Sequence, residues 1–163
     1  MPPRETDLPT EGRIVGHEHH LPLRVYFEDT DLSGMVYHAN YLKFMERGRS
    51  DMLRALGIDQ FAAFAAGDGT YAVTALAIRY RSAARLGDAL IVATRLEQLG
   101  AARLSIQQRV MRDTVLLAEA DVTVAFVAPS GRARRQPAAW IEAFGRFLPE
   151  RAATDTNQGE SPK

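Results

Sequence analysis

The chain contains no cysteine. Disulfides, thiolate nucleophiles and cysteine-bearing zinc sites are thereby excluded, and the composition is compatible with a reducing compartment. Lysine is nearly missing too: Lys43 and Lys163 are the only two, so arginine carries almost all the positive charge. Net charge is absent, with Lys+Arg 20 against Asp+Glu 20. No overall field therefore draws the molecule to nucleic acid or to a membrane surface. No apolar run approaches the ~18 residues of a transmembrane segment. Residues 1–20 are polar and proline-bearing, without the apolar centre of a secretion signal, and the expected location is cytoplasmic. Three chemistries also lack their motifs. There is no Gly-x-Ser-x-Gly elbow of a serine hydrolase and no Gly-x-Gly-x-x-Gly after a strand for a dinucleotide. Gly67-Asp68-Gly69 is not followed by the Gly-Lys-Ser/Thr of a phosphate loop, so it reads as a turn.

What is present describes one globular domain: 163 residues, 46% hydrophobic and 25% charged. The expected layout is a flexible N-terminal arm (1–20), a single domain (21–148) and a disordered tail (149–163). His17, His19 and His20 lie in the arm without an acidic or cysteine partner at helix spacing, so they read as surface histidines, and no metal is expected. Leu21–Phe27 alternates as a strand, with Pro22 at its start where a missing N–H is tolerated. Tyr41–Leu56 has apolar residues at 41, 44, 45, 52, 53 and 56, the spacing of a helix with a wide apolar face. Gly48 within it costs roughly 1 kcal/mol against alanine. Close approach of another backbone, as when a sheet wraps round the helix, would explain it. Gly57 ends the helix, and Ile58–Ala66 makes a short helical turn or loop. Tyr71–Ala83, Ala89–Leu99, Arg103–Arg112 and Val115–Val127 then alternate between turn signals, as in an antiparallel meander. A closing helix is expected over Pro137–Phe147, with Trp140, Ile141 and Phe144 on one side. The class is α+β.

The chain is organised around Glu28-Asp29-Thr30-Asp31-Leu32-Ser33-Gly34-Met35-Val36-Tyr37-His38-Ala39-Asn40-Tyr41. It joins the first strand to the long helix and sets Asp31 just ahead of a helix N-terminus, where unpaired N–H groups point outward. A carboxylate ionised at neutral pH beside such donors suits acyl transfer: one group attacks or activates water, the other holds an oxyanion. The simpler alternative is that Asp31 caps the following turn. Carboxylates two apart on an extended segment face opposite sides, so Asp29 and Asp31 do not form a dyad, and Asp29 reads as a structural hydrogen-bonding residue. Asn40 suits an N-cap.

The run EDTDLSGMVYHANYLKFMERGRSDML closely resembles the hotdog-fold acyl-CoA thioesterases of the 4-hydroxybenzoyl-CoA thioesterase type, and most of all the branch associated with the Tol–Pal system. The likeness extends from about Leu23 to about Phe144. It implies a hotdog fold, a five-stranded antiparallel sheet wrapped round one long central helix. It implies hydrolysis of an acyl-CoA (or acyl carrier protein) thioester without a cofactor, with Asp31 as nucleophile or general base. By the same likeness the His38 backbone N–H is the oxyanion donor, which requires the helical turn to begin before Asn40. Gly34, Met35, Val36, Tyr37 and Tyr41 are the expected substrate neighbours. In some relatives the acid comes from the helix, where Glu46 lies, but the loop pattern matches better. Arg79, Arg81 and Arg85, with Arg132, Arg134 and Arg135, either grip CoA phosphates or are solvated edge charge. Ala62, Ala63, Ala65 and Ala66 would leave a deep pocket if they face it. A homodimer or homotetramer is implied, and neither nucleic acid nor a transmembrane segment. A hydroxyacyl-thioester dehydratase using His38 with an acid, and a non-catalytic envelope-associated scaffold, are the alternatives.

Overall fold

The computed structural model describes residues 4–150. Strand β1 (Arg13–Val15) and strand β2 (Glu18–Arg24) form a hairpin with Val15 opposite Glu18. Its two-residue turn needs positive φ, which Gly16 supplies at +63°. The expected arm over 1–20 therefore gives way to paired strand from residue 13, and the first long strand lies three residues earlier than Leu21–Phe27. Beyond Arg24 the chain leaves the sheet: Val25 N–H donates to the Asp88 carbonyl (2.9 Å), and Phe27–Asp29 forms one 3-10 turn. Pro22 pairs with Ile91 but lies past the end of β1, where β2 is itself an edge and a lost donor is harmless.

Helix α1 (Asn40–Ala55) follows, then the short α2 (Gln60–Ala65), strands β3 (Thr70–Tyr80), β4 (Ala89–Leu99), β5 (Arg103–Arg112) and β6 (Val115–Val127), and helix α3 (Ala138–Phe147). All strand pairs are antiparallel, in the order β1-β2-β4-β5-β6-β3. The sheet has six strands instead of the five expected, the addition being β1. Its concave face packs on α1, the hotdog arrangement, with Tyr41, Phe44, Met45, Met52 and Leu53 of the helix buried against Leu90, Val92, Leu96, Leu104, Ile106, Val110 and Val122.

Gly48 marks the nearest approach of helix and sheet. A Cβ there would lie 2.8 Å from Val92 Cγ1, 3.1 Å from Thr94 Oγ1 and 3.2 Å from Gln108 Nε2. The approach is to side chains of β4 and β5, not to another backbone. At the far end α3 closes the core through an aromatic group in which Trp140 meets Tyr71 and Phe126, and Tyr71 meets Phe144. Among the described residues no helix is long and apolar enough to cross a membrane. Most of the expected tail, 151–163, lies outside the described residues.

Candidate active site

The loop between β2 and α1 is held from below by Asp29. Its carboxylate accepts the Tyr26 N–H (2.8 Å), and its carbonyl accepts the Tyr37 N–H (3.0 Å) and Asn40 Nδ2 (2.8 Å). Asp29 is buried and structural, as expected. Asn40 is not the N-cap: that position falls on Ala39, and Asn40, buried as the first helical residue, ties α1 back to the loop.

Residues 31–34 make a tight turn. Asp31 N–H donates to the Met35 carbonyl (2.9 Å) and Gly34 N–H to the Asp31 carbonyl (3.0 Å). Gly34 has φ +75°, and a Cβ there would touch nothing within 4 Å, so backbone conformation and not crowding calls for glycine. The turn presents Asp31 to solvent. Its Oδ1 accepts both the Ser33 N–H (2.8 Å) and the Ser33 hydroxyl. These bonds, the hydroxyl first, hold the Asp31 carboxyl below its usual pKa. The Met35 N–H adds a weaker influence in the same direction.

The helical turn does begin before Asn40, whose N–H donates to the Tyr37 carbonyl (2.8 Å). The His38 and Ala39 N–H groups have no acceptor among the described residues, as expected of the first donors of a helix. The His38 carbonyl is engaged: Tyr80 Oη donates to it at 2.9 Å. Tyr41 Oη accepts the Ala84 N–H (3.0 Å), and Val36 N–H donates to the Ala84 carbonyl (2.9 Å). The end of β3 and the segment after it thus clamp the helix start. The result is an open concavity of about 370 Å³ lined by Asp31, Met35, Val36, His38, Tyr41, Tyr80 and Arg81.

Of the expected site residues, Asp31, Met35, Val36, His38 and Tyr41 line this one concavity, and Gly34 shapes its rim. Tyr37 is exposed, its ring 4.5 Å from that of His38. Tyr41 is buried, its hydroxyl already used, so it serves as wall and brace. Glu46 lies further along α1, where its carboxylate accepts the Ser50 hydroxyl (2.6 Å). No carboxylate hydrogen-bonds the His38 ring among the described residues, so the His–acid pair of a dehydratase is not formed there. Arg79 and Arg81 pair across the sheet with Asp121 (3.7 Å) and Glu119 (2.7 Å). Arg134 donates to the Asp68 carbonyl (2.8 Å), stapling a turn. The alanines of α2 line neither this concavity nor the cavity between α1 and the sheet. His19 is the main correction: it is fully buried, with Nε2 2.8 Å from Asp51 Oδ2. Two residues of the site escaped sequence reading, Ser33 and Tyr80. Ser33 carries a local signal, a hydroxyl two residues after an aspartate. Tyr80 carries none, because only the fold brings it to His38.

Comparison with known proteins agrees with this fold. The model of the thioesterase-like superfamily matches residues 25–148. A Haemophilus influenzae protein named acyl-CoA thioesterase YbgC is 44% identical over 106 residues, 65% of this chain and 78% of that one. An Escherichia coli O6:H1 protein named acyl-CoA thioester hydrolase YbgC is 39% identical over 109 residues, 66% of this chain and 81% of that one. Among solved structures, a probable thioesterase from Bartonella henselae superposes with a TM-score of 0.69 at 35% identity, covering 74% of this chain and 99% of that one. The chain belongs to the thioesterase-like superfamily and is a thioester hydrolase built on the hotdog fold.

Proposed function

We propose that the protein hydrolyses acyl-CoA thioesters, with Asp31 as the reacting carboxylate and the His38 N–H as the oxyanion donor. The observation that carries this reading is the pairing of an ionised, solvent-facing Asp31, its Oδ1 tied to Ser33, with two N–H groups at the start of α1 that have no acceptor among the described residues. Both line or border one concavity. The thioester carbonyl oxygen seats against the N–H groups. Asp31 either takes a proton from the attacking water or attacks the carbonyl carbon itself. The oxyanion gathers on the donors, the C–S bond breaks, and the CoA thiolate leaves and takes up a proton. In the direct-attack route a second step hydrolyses the mixed anhydride. The names of the relatives support CoA as the carrier.

The long unpaired edge of β3 supports a homodimer, joined through that edge and able to pair again as a tetramer. The cysteine-free composition supports a cytoplasmic setting. The decisive measurement is thiol release from a panel of acyl-CoAs by the wild type and Asp31→Asn. The Asn form is expected to lose at least ~10²-fold in kcat, the lower bound for a positioned acid–base group, with its circular dichroism unchanged. Equal activity in the Asn form would remove Asp31 from the mechanism.

A further inference from the structure

Thr94 and Gln108 stand on the helix-facing side of the sheet, where the alternation of β4 and β5 otherwise places apolar residues. Both are fully buried, and they are direct neighbours in the β4–β5 register. Gln108 Nε2 donates to the Met45 carbonyl of α1 (2.9 Å) and to Thr94 Oγ1 (2.9 Å). Only one orientation of the amide satisfies both donors, and an unsatisfied amide so enclosed would cost roughly 1–3 kcal/mol. The oxygen is therefore aimed at Arg49, whose Nη1 donates to it at 2.8 Å. A buried glutamine that the hydrolytic chemistry does not use fixes the direction of a half-buried guanidinium.

That guanidinium borders a cavity of about 190 Å³ between α1 and the sheet. The walls are mostly apolar: Met52, Leu53, Val73, Leu104, Ile106 and Val124. The other N–H groups of Arg49 have no acceptor among the described residues. Glu46 lines the same cavity, with Ser50 and Gln60, and its charge supports that of Arg49; its carboxylate accepts the Ser50 hydroxyl (2.6 Å). A mostly apolar pocket with one oriented cation is built to read a single polar group. A guanidinium fork with free donors fits a carboxylate best, by two parallel bonds. At ~30 Å³ for each water-sized group, the volume holds about six, enough for a few methylenes and a carboxylate. Helix α1 and strand β3 frame both this cavity, through Arg49 and Val73, and the Asp31 concavity, through Tyr41 and Tyr80.

We propose that this cavity takes the far end of the acyl group, and that Arg49, positioned by Gln108, selects acyl thioesters whose chain ends in a carboxylate. The proposal rests on the thioesterase reading of the Asp31 site and extends it to a substrate class.

The test compares pairs of equal length that differ only at the last carbon: hexanoyl- against adipoyl-CoA, and octanoyl- against suberoyl-CoA. The wild type is expected to favour the carboxylated member of at least one pair by tenfold or more in kcat/KM, mainly through KM. Arg49→Met is expected to reverse that ranking. Gln108→Leu, which leaves Arg49 present but unaimed, is expected to shrink the preference. An arginine of purely structural value would lower both members of a pair alike, and that result overturns the proposal. Calorimetry of free adipate and suberate supplies a readout without turnover: binding is expected to Asp31→Asn and to be lost when Arg49→Met is added. If no acyl-CoA is hydrolysed but the diacids bind through Arg49, the catalytic reading fails and takes the substrate assignment with it, while the carboxylate site at Arg49 stands. If alkyl-CoAs turn over while the carboxylated ones are not preferred and the diacids do not bind, this one fails alone.

Discussion

Ser33 governs how Asp31 presents itself. With its hydroxyl and its N–H both on Oδ1, it fixes the carboxylate rotamer and favours the ionised form. The folded-state pKa of Asp31 thus lies below that of a free carboxyl, and the ionised acid persists to lower pH. Ser33→Ala keeps the backbone donor and removes the hydroxyl. Asp31's pKa should then rise toward the ordinary value of about 3.9, moving the acid limb of the kcat/KM profile to higher pH. An acid limb that stays in place would show that ionisation of Asp31 does not set it. Asp31, Gly34 and the helix start are legible in the sequence, because all lie within ten residues; the Ser33 hydroxyl lies among them but carries only a local signal. Tyr80 was not legible: it bonds the His38 carbonyl from 42 positions away, and only the placement of β3 against the head of α1 joins them.

At the scale of elements, the same contrast explains why residues 1–20, which hold β1 and the start of β2, read in the sequence as a loose arm. Strands are recognised by apolar alternation, and at the inward position of β2 stands His19, a polar residue whose burial depends on a partner 32 residues on. Asp51 Oδ2, on α1, accepts His19 Nε2–H (2.8 Å) and the Gly12 N–H (2.7 Å), so one carboxylate ties the hairpin and the chain before it to the helix. Gln108 interrupts β5 in the same way, yet β5 was recognised because Leu104, Ile106 and Val110 keep its period. The His19 pair carries a consequence for stability. Burial, the largest influence, lowers the pKa of His19 below 6.5; Asp51 opposes this and His20 adds to it, while Arg54 approaches Asp51 from the solvent side. The unfolded chain therefore binds more protons than the folded one once pH drops below about 6.5. Stability present above that pH is lost as pH falls toward the folded-state value. Denaturant titrations at pH 7.5 and 5.5 should show the wild type losing stability, and His19→Gln should lose less over the same interval. His20→Gln removes only the smallest influence on His19 and should flatten the slope far less than His19→Gln does; if it flattens it as much, the buried pair is not the source.

The whole molecule is a sheet with two unequal edges. β1 ends one side with three residues, too short to template another strand, and β3 ends the other with eleven. Val73 and Tyr80 on β3 are about half exposed, at 49% and 45%, an arrangement that a solitary sheet avoids on so long an edge. Pairing β3 with its own copy satisfies the open backbone groups at once. In a closed two-fold contact the same strand faces itself antiparallel, so one stretch near the axis lies opposite its own copy at a Cα separation of about 4.5–5.5 Å. That spacing lies within the range of a disulfide, and a chain without cysteine allows the axis to be located directly. Single variants Ala75→Cys, Ala77→Cys and Arg79→Cys, oxidised mildly, should give a covalent dimer most readily at the position nearest the axis and less readily at the others. Val115→Cys, exposed at the start of β6, should remain monomeric under denaturing electrophoresis. Light scattering on the wild type should return an even multiple of 18.0 kDa. A monomer mass with no cross-link anywhere on β3 would leave that edge to some other partner. It would also confine the Asp31 concavity to a single chain.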